Sequence, residues 1–363
     1  RHGLALAAVI SASHNPYEDN GIKLFAGNGF KLDDGTEQQI EAAIAAGDGA
    51  PAARIGRVRD LHAALEDYLR ELEQRFSRLD LSGRRVLLDC ANGATYLAAP
   101  EIFRRLGADV TVLSDRPDGR NINAGCGSTH LDLLSETIRS GGYDVGFAFD
   151  GDGDRVLAVD AGGSTVDGDE LIALGALHLK RRGELPGDGV AVTVMTNYGF
   201  HTAMASAGIE VASTAVGDRY VLDELRKRDW RLGGEQSGHI IDMSFGPSGD
   251  GIASALLTLE ALDGSDLRER DGMQKLPQKL VNIRAKDRDA LGAAMDSPAV
   301  QEAIEQVNGE LSGRGRVLVR PSGTEPLVRV MVEAPSAEET ERFCARLVDV
   351  VETTLAEDPS GRG

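Results

Sequence analysis

Cysteine is scarce: Cys90, Cys126 and Cys344 stand far apart, odd in number and without any C-x-x-C pair. That spacing excludes a disulfide framework and a zinc site, and a reducing cytoplasm is the expected compartment. Aromatic residues make up only 4% of the chain against 44 glycines, which favours many tight strand–helix turns over a large aromatic core. Positive charge is in deficit as well. Lys and Arg number 39 against 58 Asp and Glu, a net charge of −19, so nonspecific binding to nucleic acid or to an acidic membrane is not expected. No apolar run approaches the roughly 18–20 residues that span a bilayer. The opening RHGLALAAVISAS imitates a signal peptide, but cleavage there would cut into the most informative motif. It reads instead as a buried strand, Leu4 to Ile10, leading into a functional loop. The chain has no initiator Met and starts on the brink of that strand, so it is expected to be truncated. Neither G-x-x-x-x-G-K-[ST] nor G-x-G-x-x-G occurs, which removes P-loop and Rossmann cofactor readings.

What is present is an alternation. Over 363 residues, apolar runs of strand length alternate with helical periodicity, the pattern of βα units and of parallel or mixed sheets. Helices are expected over 36–46, 61–76, 99–106, 131–140, 169–182 and 299–311, with strands over 86–89, 109–113, 145–149, 190–195 and 280–285. A last unit follows a different pattern, with two short strands and a long terminal helix. The fold class is therefore α/β: three related α/β mixed-sheet domains, the first incomplete, plus a smaller C-terminal α+β domain. The expected limits are 1–64, 65–165, 166–276 and 277–363.

Four loops carry chemistry. Ser11-Ala12-Ser13-His14-Asn15-Pro16, with Lys23 close behind, delivers hydroxyls beside a base and a cation, which can activate a serine nucleophile; taken alone it reads more readily as a capped polar turn. In Asp150-Gly151-Asp152-Gly153-Asp154-Arg155, carboxylates at i, i+2 and i+4 can curl around one hard divalent cation. An EF-hand is ruled out, since its sixth position would be Arg155 and its twelfth Ala161. Oxygen-only ligands point to Mg²⁺, replaceable by Mn²⁺. Gly233-Gly234-Glu235-Gln236-Ser237-Gly238-His239 can accept from and donate to sugar hydroxyls, or be a plain turn. Arg320-Pro321-Ser322-Gly323-Thr324-Glu325-Pro326, with Arg329 beyond, is a natural phosphate cradle, and otherwise a solvated basic turn.

Together, in this order, the four loops resemble the α-D-phosphohexomutase superfamily. The resemblance implies that Ser13 is a phosphoserine exchanging its phosphate with a sugar phosphate. It further implies that Asp150, Asp152 and Asp154 hold one Mg²⁺ per chain with the Ser13 phosphate as a further ligand. Glu235 and Ser237 would grip sugar hydroxyls, and Arg320, Ser322, Gly323, Thr324 and Arg329 the nonreacting phosphate. His14 and Lys23 are candidates for acid–base work and charge stabilisation, and Arg155 for touching the same phosphate.

Within the superfamily, several stretches resemble the phosphoglucosamine mutases: Asp89-Cys90-Ala91-Asn92-Gly93-Ala94, Asn121-Ile122-Asn123, Cys126-Gly127-Ser128-Thr129-His130, Val216-Gly217-Asp218-Arg219-Tyr220-Val221, and Gln236 in the sugar loop. Asp218 and Arg219 join the substrate-binding set on this ground. The resemblance implies interconversion of glucosamine 6- and 1-phosphates through a 1,6-bisphosphate, feeding amino-sugar nucleotide and cell-wall precursor synthesis. The alternatives are a phosphomannomutase/phosphoglucomutase, or an inactive sugar-phosphate-binding fragment. Expected partners are a small sugar phosphate and, as an open expectation, a second copy in a homodimer. Ser248 departs from the Thr usual before Gly-Asp-Gly.

Overall fold

A continuous apolar run makes a good strand when layers cover both faces of its sheet, and the middle of this chain is built that way. The computed structural model describes residues 3–47, 56–322 and 325–356. It divides into two compact units, one comprising Arg1–Met195 and Ala207–Gly272, the other Thr196–Ser206 and Met273–Gly363.

The first unit opens with an antiparallel pair, β1 (Leu6–Ser11) and β2 (Gly21–Ala26), in register from Leu6↔Ala26 to Ser11↔Gly21. Helix α1 (Asp34–Ala46) follows, its first turn capped by the Asp33 carboxylate on the Thr36 N–H, and then α2 (Ala64–Arg75). The expected burial of the first strand does not hold: Ile10 is 75% exposed and Leu6 55%. Among the described residues β1 pairs only with β2, and a two-stranded ribbon cannot cover its own faces.

Next come β3 (Arg85–Asp89), α3 (Thr95–Arg105), β4 (Asp109–Leu113), α4 (Asp132–Gly141), β5 (Val145–Phe149), β6 (Val156–Asp160) and β7 (Thr165–Val166). The sheet order is β4-β3-β5-β6-β7, with β4, β3 and β5 parallel and β6 and β7 antiparallel. Every residue of β5 is buried, so the turn after it leaves the centre of the sheet at a fixed point. α3 starts four residues earlier than its apolar spacing suggests and contains Pro100.

Helix α5 (Gly168–Arg181) begins with a reciprocal capping box between Asp167 and Glu170. It leads to β8 (Gly189–Thr193), α6 (Tyr198–Ser206), β9 (Glu210–Thr214), α7 (Asp218–Arg228), β10 (Leu232–Gly234), β11 (Ile240–Asp242) and α8 (Gly251–Leu262). The strands order as β11-β10-β8-β9, with only β11 antiparallel. α5 and α8 are buried along most of their length.

α6 belongs to the second unit, with β12 (Gln278–Arg284), α9 (Arg288–Met295), α10 (Pro298–Leu311), β13 (Arg316–Pro321), β14 (Leu327–Glu333) and α11 (Ala337–Ala356). The antiparallel sheet β12-β14-β13 packs Val328, Val330 and Val332 against Val307, Phe343 and Leu347. The wholly buried Glu333 explains where α6 goes. Its carboxylate accepts from Arg316 Nε at 2.7 Å, from the Tyr198 N–H at 2.9 Å and from Asn197 Nδ2 at 3.2 Å. A buried carboxylate needs those donors, and they tie the start of α6 to β14. No helix among the described residues is long and apolar enough to cross a membrane.

Candidate active site

The β5–β6 turn carries Asp150, Asp152 and Asp154. Each offers one carboxylate oxygen, and these atoms lie within 4.8 Å of one another. Asp152 Oδ1 and Asp154 Oδ1 are buried with no hydrogen-bond partner among the described residues. Burial, followed by the charges of Asp154 and Asp152, pushes Asp150 up to about 8. Burial works in the same direction on Asp154, but His239 and Lys23 outweigh it and hold that carboxyl well below its ordinary range. Crowded hard oxygens, two of them orphaned, are a donor set that fits a small divalent cation such as Mg²⁺.

The serine loop meets this turn. Ser13, in the left-handed region at φ 51°, has its Oγ 3.4 Å from Asp150 Oδ2 and 3.3 Å from His14 Nδ1. Its carbonyl accepts the Gly151 N–H at 2.9 Å. The approach is so close that a Cβ on residue 151 would stand 2.6 Å from that same oxygen, and one on Gly93 would lie 2.2 Å from the Gly151 carbonyl oxygen; only glycine fits at either place. Lys23, on β2, reaches Asp152 Oδ2 at 2.6 Å and Asp154 Oδ2 at 3.1 Å. Burial lowers its pKa, but Asp154 and Asp152 more than compensate and raise it overall. His14 is lowered by burial and by Arg155, which favours its neutral form. The Arg155 N–H donates to Asp150 Oδ1 at 3.1 Å, and its Nε stands 3.9 Å from Asp154 Oδ1.

The loop of residues 233–239 lies in the same unit. Glu235 accepts the Gly217 N–H at 3.0 Å, and Ser237 Oγ is buried without a hydrogen-bond partner among the described residues. Gln236 turns instead to the start of α5, where its Nε2 donates to Asp167 at 3.1 Å. Asp218 pairs with Lys31, and Arg219 donates to the Leu32 carbonyl at 2.7 Å. Both are thereby joined to the segment after β2.

Four residues at this site were not singled out for a role from sequence. Ser11 donates to Asp152 at 2.7 Å and accepts the Ser13 N–H at 2.7 Å. Asn123 donates to the Ser13 and Asn15 carbonyls. Lys31 is the partner of Asp218. His239 accepts the Gly249 N–H on Nε2 at 3.1 Å, leaving its proton on Nδ1, which faces Asp154 Oδ1 at 3.5 Å. Ser11, Asn123 and His239 sit inside stretches that already stood out, and Lys31 carried no signal.

In the second unit, Arg320 and Arg329 are directly opposed across β13 and β14. Burial and then Arg329 lower the pKa of Arg320, and Arg329 Nε is buried with no hydrogen-bond partner among the described residues. The Ser322 N–H bonds the Leu327 carbonyl at 2.8 Å, and Ser322 Oγ accepts the Glu325 N–H at 3.4 Å. Gly323 and Thr324 lie outside the described residues.

Four family models match in succession. The α/β/α domains I, II and III of phosphoglucomutase/phosphomannomutase fall on residues 1–50, 66–163 and 167–280, and the C-terminal domain on 280–350. The phosphoglucosamine mutase of Desulforudis audaxviator is 49% identical over 350 residues, which are 94% of this chain and 77% of that protein. That of Moorella thermoacetica is 49% identical over 352 residues, 95% and 78% of the two chains. Among solved structures, an N-acetylphosphoglucosamine mutase from Aspergillus fumigatus, in complex with GlcNAc-6P and magnesium, is similar in fold. It has a TM-score of 0.72 at 20% identity, covering 97% of this chain and 90% of that one. With matching domains in order and relatives that are half identical over most of both chains, the chain belongs to the phosphoglucomutase/phosphomannomutase family of α-D-phosphohexomutases, in its phosphoglucosamine mutase group.

Proposed function

We propose that this protein interconverts glucosamine 6-phosphate and glucosamine 1-phosphate through a phosphoserine at Ser13 and a 1,6-bisphosphate. The observation that carries the reading is the position of Ser13 Oγ, 3.4 Å from Asp150 and 3.3 Å from the His14 ring, at the edge of the three-carboxylate cluster. Kinship with phosphoglucosamine mutases supports the choice of sugar. The domain limits 1–64, 65–165, 166–276 and 277–363 belong to the same reading and are supported by the neighbouring limits of the family models.

Phosphoryl transfer needs in-line geometry and neutralisation of charge on the moving oxygens. Asp150, Asp152 and Asp154 would hold Mg²⁺, with the Ser13 phosphate as a further ligand, and the ion would supply that neutralisation as a Lewis acid. The C1 hydroxyl of glucosamine 6-phosphate takes the phosphoryl group from Ser13 and gives up its proton, which leaves free serine and the bisphosphate. The bisphosphate turns end over end, its C6 phosphoryl group returns to Ser13, and glucosamine 1-phosphate departs. His14, beside Ser13 Oγ and favoured in its neutral form, moves the serine proton in this reading, while the Lys23 ammonium and Arg155 offset charge on the transferring group. Glu235, Ser237, Asp218 and Arg219 hold the sugar. Arg320, Ser322, Gly323, Thr324 and Arg329 hold the phosphate that is not reacting.

Ser13→Ala tests the reading. Mutase turnover of glucosamine 6-phosphate should vanish, intact mass should fall by one phosphate in addition to the lost oxygen, and the circular dichroism spectrum should be unchanged. Retained turnover, or phosphate mapped to Ser11, overturns it. Running mannose 1-phosphate and glucose 1-phosphate beside the amino sugar tests the choice of sugar.

A further inference from the structure

We infer that Asn123 is a positioning residue for phosphoryl transfer, one that holds the Ser13 backbone against the aspartate turn. The inference deepens the phosphoserine reading above and rests on it. Asn123 is 7% exposed and sits in the long connection between β4 and α4. Its amide nitrogen donates to the Ser13 carbonyl at 2.8 Å and to the Asn15 carbonyl at 2.8 Å. Both partners are acceptors only, so the orientation of the amide is determined and both of its N–H bonds are used. The Ser13 carbonyl also receives the Gly151 N–H at 2.9 Å, which fills both of its lone pairs.

These bonds matter because the Ser13 side chain is loosely held, with contacts of 3.3 and 3.4 Å. Its direction is therefore set by the backbone, which stands at φ 51°. A non-glycine residue keeps that conformation only when its surroundings over-determine it. Asn123 supplies part of that constraint and is itself anchored. At φ 57°, a conformation asparagine tolerates, its own N–H bonds the Ala91 carbonyl at 2.9 Å, and the Ala91 N–H in turn bonds the buried Asp89 carboxylate at 3.0 Å. A continuous chain of bonds thus runs from the end of β3 to the nucleophile. In-line transfer tolerates little displacement of the reacting oxygen, so loosening this chain should act on the chemical step and not on sugar binding.

The test uses Asn123→Asp, which keeps size and backbone preference but turns an acceptor toward two carbonyls, and Asn123→Gly, which removes the donors without adding charge. Single-turnover transfer from phosphorylated enzyme to glucosamine 6-phosphate should slow by about 10- to 100-fold in both, with KM within about twofold of wild type. Phosphate should still map to Ser13. Transfer within about twofold of wild type in both variants overturns the inference. So does a loss that only tracks the folded fraction measured by circular dichroism, since that marks a merely structural staple. A wild-type protein that carries no phosphate on Ser13 and takes none from glucose 1,6-bisphosphate overturns the phosphoserine reading and this inference with it.

Discussion

The aspartate turn of the first unit and the arginine pair of the second hold like charges together, with opposite signs. In the turn, Asp150 is pushed up to about 8 and two carboxylate oxygens lack hydrogen-bond partners among the described residues. Across β13 and β14, Arg320 and Arg329 face each other in register, and Arg329 Nε has no hydrogen-bond partner among the described residues; like charges so opposed cost stability in a sheet. Glu333 and Arg316, in the same sheet, show the other solution, a buried charge answered by an opposite one at 2.7 Å. At the aspartates Lys23 already supplies part of the opposite charge, 2.6 Å from Asp152 and 3.1 Å from Asp154. Clusters of like charge such as these two mark candidate sites for ions of the opposite sign.

The comparison breaks most sharply at the aspartates. Asp152→Ala should lower mutase turnover by about 100- to 1,000-fold, and chelator should silence the wild type until Mg²⁺ is restored. Full activity in chelator would remove the cation from the picture. The arginine side should respond less. Arg320→Ala should slow transfer by about 10- to 100-fold in both directions and release more bisphosphate into solution. Forward and reverse rates, with chromatography of the bisphosphate, check it; loss in one direction alone would mean that the pair serves only one binding mode. The smallest effect is a pH dependence. Burial and the neighbouring carboxylates raise Asp150 to about 8, so a cation should have to displace its proton below that pH. Apparent Mg²⁺ affinity, measured by calorimetry, should therefore weaken by about tenfold for each pH unit below 8 and level off above it. A flat profile from pH 6 to 9 would mean that Asp150 is already ionised without metal.

Much of this site was legible in the chain because it is local. Asp-Gly-Asp-Gly-Asp after an apolar strand places carboxylates around a single point wherever that strand goes, and β5 lies where its apolar run says. Charge and spacing alone made the loop of Arg320 and Arg329 a candidate phosphate cradle, with a solvated basic turn as the alternative. The roles of Asn123 and His239 could not be read in the same way. Asn123 bonds a carbonyl 110 residues away, and His239 faces Asp154 from the loop between β10 and β11. Neither relation leaves a period or a spacing in the sequence. The first strand misled for a related reason: an apolar run predicts a strand, but whether it is covered depends on layers elsewhere.

By itself the sequence determined the order of strands and helices, the four loops and the sign of charge in each, since backbone propensity, apolar periodicity and the chemistry of neighbouring side chains are properties of short segments. Only the tertiary structure decided which loops meet. It set Lys23 between two carboxylates, bonded Asn123 to the Ser13 backbone and gave α6 to the second unit through Glu333. Those outcomes turn on hydrogen bonds and ion pairs between distant segments, whose strength comes from burial, and burial does not exist until the chain has folded.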